Sequence, residues 1–171
     1  MTRYSIIYGG LAGVIIIGAM ALSLALTGPD GEGASQWLGY LIMLLALSLV
    51  FLGIRQYRDR ELGGVISFGK AAIMGLMIAV VAGIAYVASW EVYLAATDHA
   101  FIDDYASALL EKKEAAGLGA EALAKEAAKL DAMKANYANP LYRMPVTFLE
   151  IFPVGLIVAL VSAFILRTRR R

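Results

Sequence analysis

Hydrophobic and polar positions in this chain are sorted into long blocks, not into the alternation of a half-buried strand or the one-sided stripe of a soluble helix. Residues 6–26 form a run of 21 without a charge, and residues 37–54 form another of 18. Residues 71–96 open with 20 uncharged positions before Glu91, and residues 146–166 carry a single charge, Glu150. Lipid offers no partner to a free backbone N–H or C=O, so an apolar run of about 20 residues crosses a bilayer as a helix. The pattern predicts an all-α integral membrane four-helix bundle forming one membrane domain over residues 1–171. The first run exceeds the roughly 7–15-residue core of a cleavable signal peptide. Thr27-Gly28-Pro29 follows it where a cleavage site would need small residues, so it reads as a retained first span.

Between the third and fourth runs the pattern changes to a helical period. Thr97 or Asp98 supplies an N-cap, and Phe101, Tyr105 and Leu109, with Ile102 and Leu110, repeat at helical spacing. Gly117 and Gly119 break that helix. A second helix then runs through about Tyr137, with Leu123, Leu130 and Tyr137 seven apart and Ala127 and Met133 between them. Glu121/Lys125, Glu126/Lys129 and Asp131/Lys134 are spaced for intrahelical ion pairs, and Asn139-Pro140 stops the helix. Residues 98–140 therefore predict a helical hairpin. Its two apolar stripes need cover from each other, from the rim of the bundle or from another protein.

Composition then narrows the class. The chain is 60% hydrophobic and 17% charged, with a mean hydropathy of +0.70, a net charge of +1 and no cysteine. An ordinary soluble domain is far less apolar, and a disordered chain is poor in apolar residues. Disulfide scaffolds, thiol nucleophiles and thiolate metal sites are excluded outright.

The near-zero charge is unevenly divided. Arg3, Arg55, Arg58, Arg60, Lys70, Arg167, Arg169, Arg170 and Arg171 fall on one side of the expected spans. The 27–36 connection has no basic residue and carries Asp30 and Glu32, while residues 97–145 hold six basic residues against eight acidic ones. Basic residues mark the cytoplasmic side, so both termini are expected there and the hairpin is expected outside. Tyr and Trp collect at headgroup level. Tyr4, Tyr8 and Tyr57 suit the inner belt, and Trp37, Tyr40, Tyr86, Trp90, Tyr93 and Tyr142 the outer one. The Arg167, Arg169, Arg170 and Arg171 tail is a topology signal or a contact for anionic lipid, each charge near such a leaflet being worth about 1 kcal/mol. Nucleic acid is not an expected partner, because the basic residues are few and border the spans.

Helices in lipid associate through small residues. Ala71, Gly75, Ala79 and Gly83 form one stripe in the third span, Gly9, Gly13, Ala21 and Ala25 another in the first, and Gly155, Ala159 and Ala163 a third in the last. Either they pack the bundle internally or they form a seam between copies.

Candidates for chemistry are few. Glu91 and Glu150, each near the outer end of a span, would form an ion or proton site if they met, or would each find a partner such as Tyr93, Tyr142, Arg143 or the hairpin. His99 and Asp103 sit four apart, the spacing of two metal ligands on one helix face, but two ligands do not complete a site. No nucleophilic serine motif is present, and no phosphate loop or dinucleotide fingerprint. Ser67 is placed to cap the third span. No cofactor is implied.

The connection before the third span reads Tyr57-Arg58-Asp59-Arg60-Glu61-Leu62-Gly63-Gly64-Val65-Ile66-Ser67-Phe68-Gly69-Lys70-Ala71. It resembles the R-D-x-x-x-G-G-x-I-S-F-G-x-A segment of a family of bacterial inner-membrane proteins known as a domain of unknown function. That resemblance implies four spans with a helical outer insert between the third and fourth, and no activity. As a physical device, Gly63-Gly64 permits a tight turn, Val65, Ile66 and Phe68 lie in the interface, and Gly69 lets the chain enter the third helix closely packed. The sequence thus leads to a non-enzymatic accessory, scaffold or interaction subunit of a bacterial inner membrane, with the hairpin as partner surface. The alternative is a small oligomeric, ion-coupled transporter using Glu91 and Glu150.

Overall fold

The computed structural model describes residues 1–27 and 36–168, without the side chains of Met20, Ala21, 23–27, 36–40 and Met43. All regular structure among them is helical: α1 (Thr2–Thr27), α2 (Gln36–Glu61), α3 (Phe68–Ala96), α4 (Phe101–Ala115), α5 (Ala120–Tyr137) and α6 (Pro140–Leu166). Among the described residues three helices are long and apolar enough to cross a membrane, over Thr2–Ala19, Phe68–Ala96 and Pro140–Leu166. Residues 28–35 with Asp30 and Glu32, the side chains of Ala21, Ala25, Trp37 and Tyr40, and Arg169, Arg170 and Arg171 lie outside the described residues.

Two compact units divide the chain, Met1–Ser89 with Phe148–Arg171, and Trp90–Thr147. In the first, α1, α2, α3 and α6 pack through their small residues. A methyl group placed at Gly9 would lie 2.6 Å from Val81 Cβ, and one at Gly75 would lie 2.8 Å from Ala159 Cβ. The same group would lie 2.6 Å from the Phe148 ring at Gly83, and 3.0 Å from Ala79 Cβ at Gly155. Gly13 faces Ala85 in the same way. Among the described residues, the expected stripes are thus filled by the chain's own helices, whereas Gly10 and Gly18 of α1 face open space. Gly53 belongs with the filled positions, 2.6 Å from Ile78 by the same construction. Leu47, Val50 and Ile54 of α2, Met74 and Ile78 of α3, and Ala159, Ala163 and Leu166 of α6 form the main core, and Ala12, Ile16, Ala46, Ala82 and Ile151 a second cluster. Large apolar side chains also point outward, among them Val14, Ile73, Ile84 and Ile157. A helix apolar all round is stable where its surroundings are apolar as well.

In the second unit α4 and α5 close on each other with Ala106 and Leu130 buried. Two ion pairs zip them, Lys113 with Glu126 and Lys134 with Asp103, the latter at 2.9 Å. Glu121/Lys125 and Glu126/Lys129 pair as the spacing predicts, at 3.0 and 2.7 Å, whereas Lys134 turns from its expected partner Asp131 to Asp103 on the facing helix.

Two helix boundaries differ from expectation. Thr97 does not cap α4: its hydroxyl donates back to the Tyr93 carbonyl at 3.0 Å and so finishes α3. Asp98 and His99 then take left-handed backbone angles, φ 49° and 61°, and α4 starts after Ala100 with no side-chain cap. Asn139 serves to start a helix, with its Oδ1 accepting the Leu141 N–H at 3.0 Å. Pro140 occupies the first position of α6, where its missing N–H costs nothing, so α6 begins six residues before the apolar run does.

Candidate functional site

The turn between α2 and α3 is a junction of three helix ends. At the end of α2 the Gly64 N–H reaches the Arg58 carbonyl at 3.0 Å, six residues back, with Gly63 and Gly64 at φ +60° and +85°. The bond spans one residue more than a Schellman cap, and the wider closure runs through two consecutive left-handed residues that glycine adopts without strain. Ser67 caps α3, its Oγ accepting the Lys70 N–H at 3.4 Å. Ile66 is the pivot between them: its side chain is buried and its backbone bonds Thr168 just past α6. The Ile66 N–H donates to Thr168 Oγ1 at 2.7 Å, and the Thr168 N–H donates to the Ile66 carbonyl at 2.9 Å. Arg58 completes the junction by donating from Nη1 to the Leu166 carbonyl at 3.3 Å, which places a cation at the negative end of α6. Its Nε donates to Asp59 at 2.6 Å, and that bond holds the Asp59 carboxyl below the usual carboxylate range.

Two readings of this turn are corrected by the structure. Ile66 lies in the core and not in the interface, because pairing with Thr168 turns it inward, while Val65 and Phe68 stay exposed. Gly69 has open space where a side chain would be, so close packing is not its reason for being glycine.

With the turn resolved, the family follows. The chain belongs to the family described as Protein of unknown function (DUF4199). Its family model matches residues 3–168, which takes in all six helices and the Ile66–Thr168 pairing. No curated protein and no solved structure matches the chain. The family's description assigns no activity, so chemistry has to be read from the geometry.

In the unit Trp90–Thr147 the polar centre is Arg143. Its side chain is 3% exposed and that of its partner Glu91 21%. Arg143 Nε donates to Glu91 Oε1 at 2.8 Å and Nη2 to Oε2 at 2.6 Å, the two-pronged geometry that makes Arg–carboxylate pairs strong. Nη1 donates to the Tyr137 carbonyl at 3.0 Å, and the guanidinium lies 5.7 Å from the centre of the Tyr137 ring. The Tyr137 hydroxyl in turn accepts the Trp90 indole N–H at 2.5 Å. Trp90 stacks on Tyr93 and meets Phe101 edge-on, with centroids 5.2 and 4.8 Å apart. One ion pair and a ring cluster thus tie the end of α3, the hairpin and the start of α6 together within this unit.

A cleft of about 580 Å³ opens beside Arg143, lined also by Asp98, His99, Asp103 and Lys134. His99 and Asp103 share this cleft, but not as two positions on a helix face, since His99 precedes α4 in a left-handed turn. Asp103 is taken by Lys134, and among the described residues no group of three or more His, Cys, Asp or Glu side chains is placed to hold a metal ion. On the hairpin, Glu126 accepts from both Lys113 and Lys129, and these bonds bring its pKa down to about 2.

Of the two carboxylates singled out by depth, Glu91 is held by Arg143 and Glu150 belongs to the other compact unit. Glu150 is exposed, and among the described residues no hydrogen bond or ion pair reaches its carboxyl. Sequence reasoning missed Thr168, which carries no local signal, and the capping role of Arg58. It placed Arg143 among the possible partners of Glu91 without anticipating the bond to Tyr137.

Proposed function

We propose that the chain is a non-enzymatic accessory or scaffold subunit of a bacterial inner membrane, with four spans, both termini cytoplasmic and the 98–140 hairpin exposed outside as the surface a protein partner meets. The observation that carries this reading is the two-pronged Glu91–Arg143 pair. A carboxylate so engaged is a structural tie, and a transporter that shuttled protons through it would have to break two charge-assisted hydrogen bonds in every cycle. Asp103, Lys134 and Glu126 are likewise engaged in closing the hairpin. An ordered helical hairpin of this length exceeds what is needed to connect two spans. α2, which this reading counts as the second span, has apolar side chains in the main core, and basic residues crowd the ends of α2 and α6. Arg167, whose guanidinium lies 4.1 Å from the centre of the Phe164 ring, sits where an anionic headgroup would meet it, followed in sequence by Arg169, Arg170 and Arg171.

The test is purification in gentle detergent. A stoichiometric partner should accompany the unmodified chain and be lost when residues 100–139 are replaced by a short linker. Recovery of the chain alone from native membrane, with no growth effect of the replacement, counts against the reading. Topology is checked separately by thiol labelling, which the lack of native cysteine simplifies: Gly119→Cys should react from outside and Gly64→Cys should not. Proton-coupled flux in proteoliposomes that Glu91→Gln abolishes would favour the ion-coupled alternative.

A further inference from the structure

We propose that the exposed face of α6 is a contact between two copies of this chain, with the two Glu150 carboxyl groups hydrogen-bonded to each other across a two-fold axis. This rests on the membrane-spanning reading of α6, which is tested by itself by thiol labelling of Arg171→Cys, expected to stay unlabelled from outside where Gly119→Cys reacts. Glu150 lies 16 residues before Leu166, about 24 Å along the helix, while the hydrocarbon layer is about 30 Å thick. With Leu166 and Arg167 at one boundary, the Glu150 carboxyl falls several ångströms short of the other. There it points outward and is bonded to no described group of its own chain. Acyl chains supply neither donor nor acceptor, and among the described residues the chain offers this carboxyl no partner, so a second molecule can supply one.

The exposed side chains in line with it name that molecule. Glu150, Pro153, Ile157, Leu160 and Phe164 are all exposed and recur at intervals of three and four, the spacing of a seam between two parallel helices. In a two-fold contact each residue near the axis meets its own counterpart, which brings carboxyl to carboxyl. Such a pair is self-complementary, because a protonated carboxyl has one donor and spare acceptor capacity. No basic side chain of the described spans is exposed at this depth to serve instead. The stripes through Gly9 and Gly13, through Gly75, Ala79 and Gly83, and through Gly155 and Ala159 are already filled within the chain.

The experiment is disulfide cross-linking of single-cysteine variants of the full chain in native membranes and after reconstitution of the purified protein. Ile157→Cys and Phe164→Cys should give a species of twice the monomer mass, and Ser162→Cys, on the buried face, should not. In the Ile157→Cys background Glu150→Gln should keep the dimer, since a carboxamide also donates and accepts. Glu150→Leu should lower its yield roughly ten-fold, as expected for one or two interhelical hydrogen bonds in lipid. Helix content and monodispersity in detergent establish that each variant is folded. The proposal is overturned by absence of the dimer at both seam positions, by equal cross-linking at Ser162→Cys, by an undiminished dimer in the Glu150→Leu background, or by an adduct of any mass other than twice the monomer.

Discussion

Replacing Arg143 by methionine removes the cation from the centre of the Trp90–Thr147 unit while keeping an unbranched apolar stem in its place. The buried guanidinium makes two bonds to Glu91 and one to the Tyr137 carbonyl. Removing one partner of a buried pair costs about 3–5 kcal/mol, because the other charge is left without compensation. Glu91 keeps a fifth of its surface in contact with solvent, which argues for the lower end, and loss of the bond to the Tyr137 carbonyl adds about 1 kcal/mol. The expected loss is therefore about 3–4 kcal/mol. Arg143→Lys keeps the charge but not the fork, and should lose about 1–2 kcal/mol. The decisive variant is the double change Glu91→Met with Arg143→Met, which removes both charges together. It should come within about 1 kcal/mol of the unmodified protein, since an apolar pair replaces a buried ion pair at little cost. The assay is urea unfolding in mild detergent followed by Trp90 emission in a Trp37→Phe background, with the double-mutant cycle giving the coupling energy. A double variant as unstable as Arg143→Met alone, or an Arg143→Met variant of unchanged stability, refutes the assignment of Arg143–Glu91 as the tie of this unit.

Four further outcomes follow from the same geometry. Gly75→Leu should prevent α3 from seating on α6, because even a methyl group there would lie 2.8 Å from Ala159 Cβ and 2.9 Å from Ile54 Cδ1, and the protein should aggregate or lose its detergent-resistant fold in size-exclusion chromatography. Gly63→Ala places a side chain at φ +60° and should cost about 1 kcal/mol in thermal unfolding, although no atom crowds the position. Thr168→Val deprives the Ile66 N–H of its acceptor at 2.7 Å and should cost about 1–2 kcal/mol, with faster hydrogen exchange at Ile66 as the direct readout. Glu126 is held at about 2 in the folded hairpin, below its ordinary value of 4.5, so its contribution to hairpin stability is present above that value and is lost as pH falls toward 2. A pH titration of helix content should show Glu126→Gln flattening that acid loss, and an unchanged titration would count against the Lys113 and Lys129 bonds as its cause.

Much of the fold was legible because a bilayer demands charge-free blocks, and blocks survive any uncertainty about which face points where. Glycines at positions 9, 13, 75, 83 and 155 were legible for a related reason, since close helix approach leaves room only for small side chains. What each glycine faces was not legible: Gly75 and Gly83 share one stripe, yet one meets Ala159 and the other Phe148, while Gly69, in a conspicuous motif, meets nothing. The start of α6 carried a readable signal in Asn139-Pro140, which suits a helix beginning as well as a helix stop. His99 was misplaced because the i, i+4 argument assumes one continuous helix, and two left-handed residues at positions 98 and 99 break that assumption. Thr168 and Arg58 were out of reach for another reason. Their partners lie 102 and 108 residues away, and no local pattern encodes a pairing of that range.

That range bears on how the chain is made. Ile66 leaves the ribosome 102 residues before Thr168 does. At about 5–20 residues per second the interval is roughly 5–20 s. Throughout it the turn that buries Ile66 is in place but has neither the hydroxyl that accepts the Ile66 N–H nor the helix end that Arg58 caps. The end of α2 and the turn before α3 therefore wait, half-assembled, for α6 to arrive, and this interval is the natural moment for an insertion factor or a wrong helix to occupy the junction.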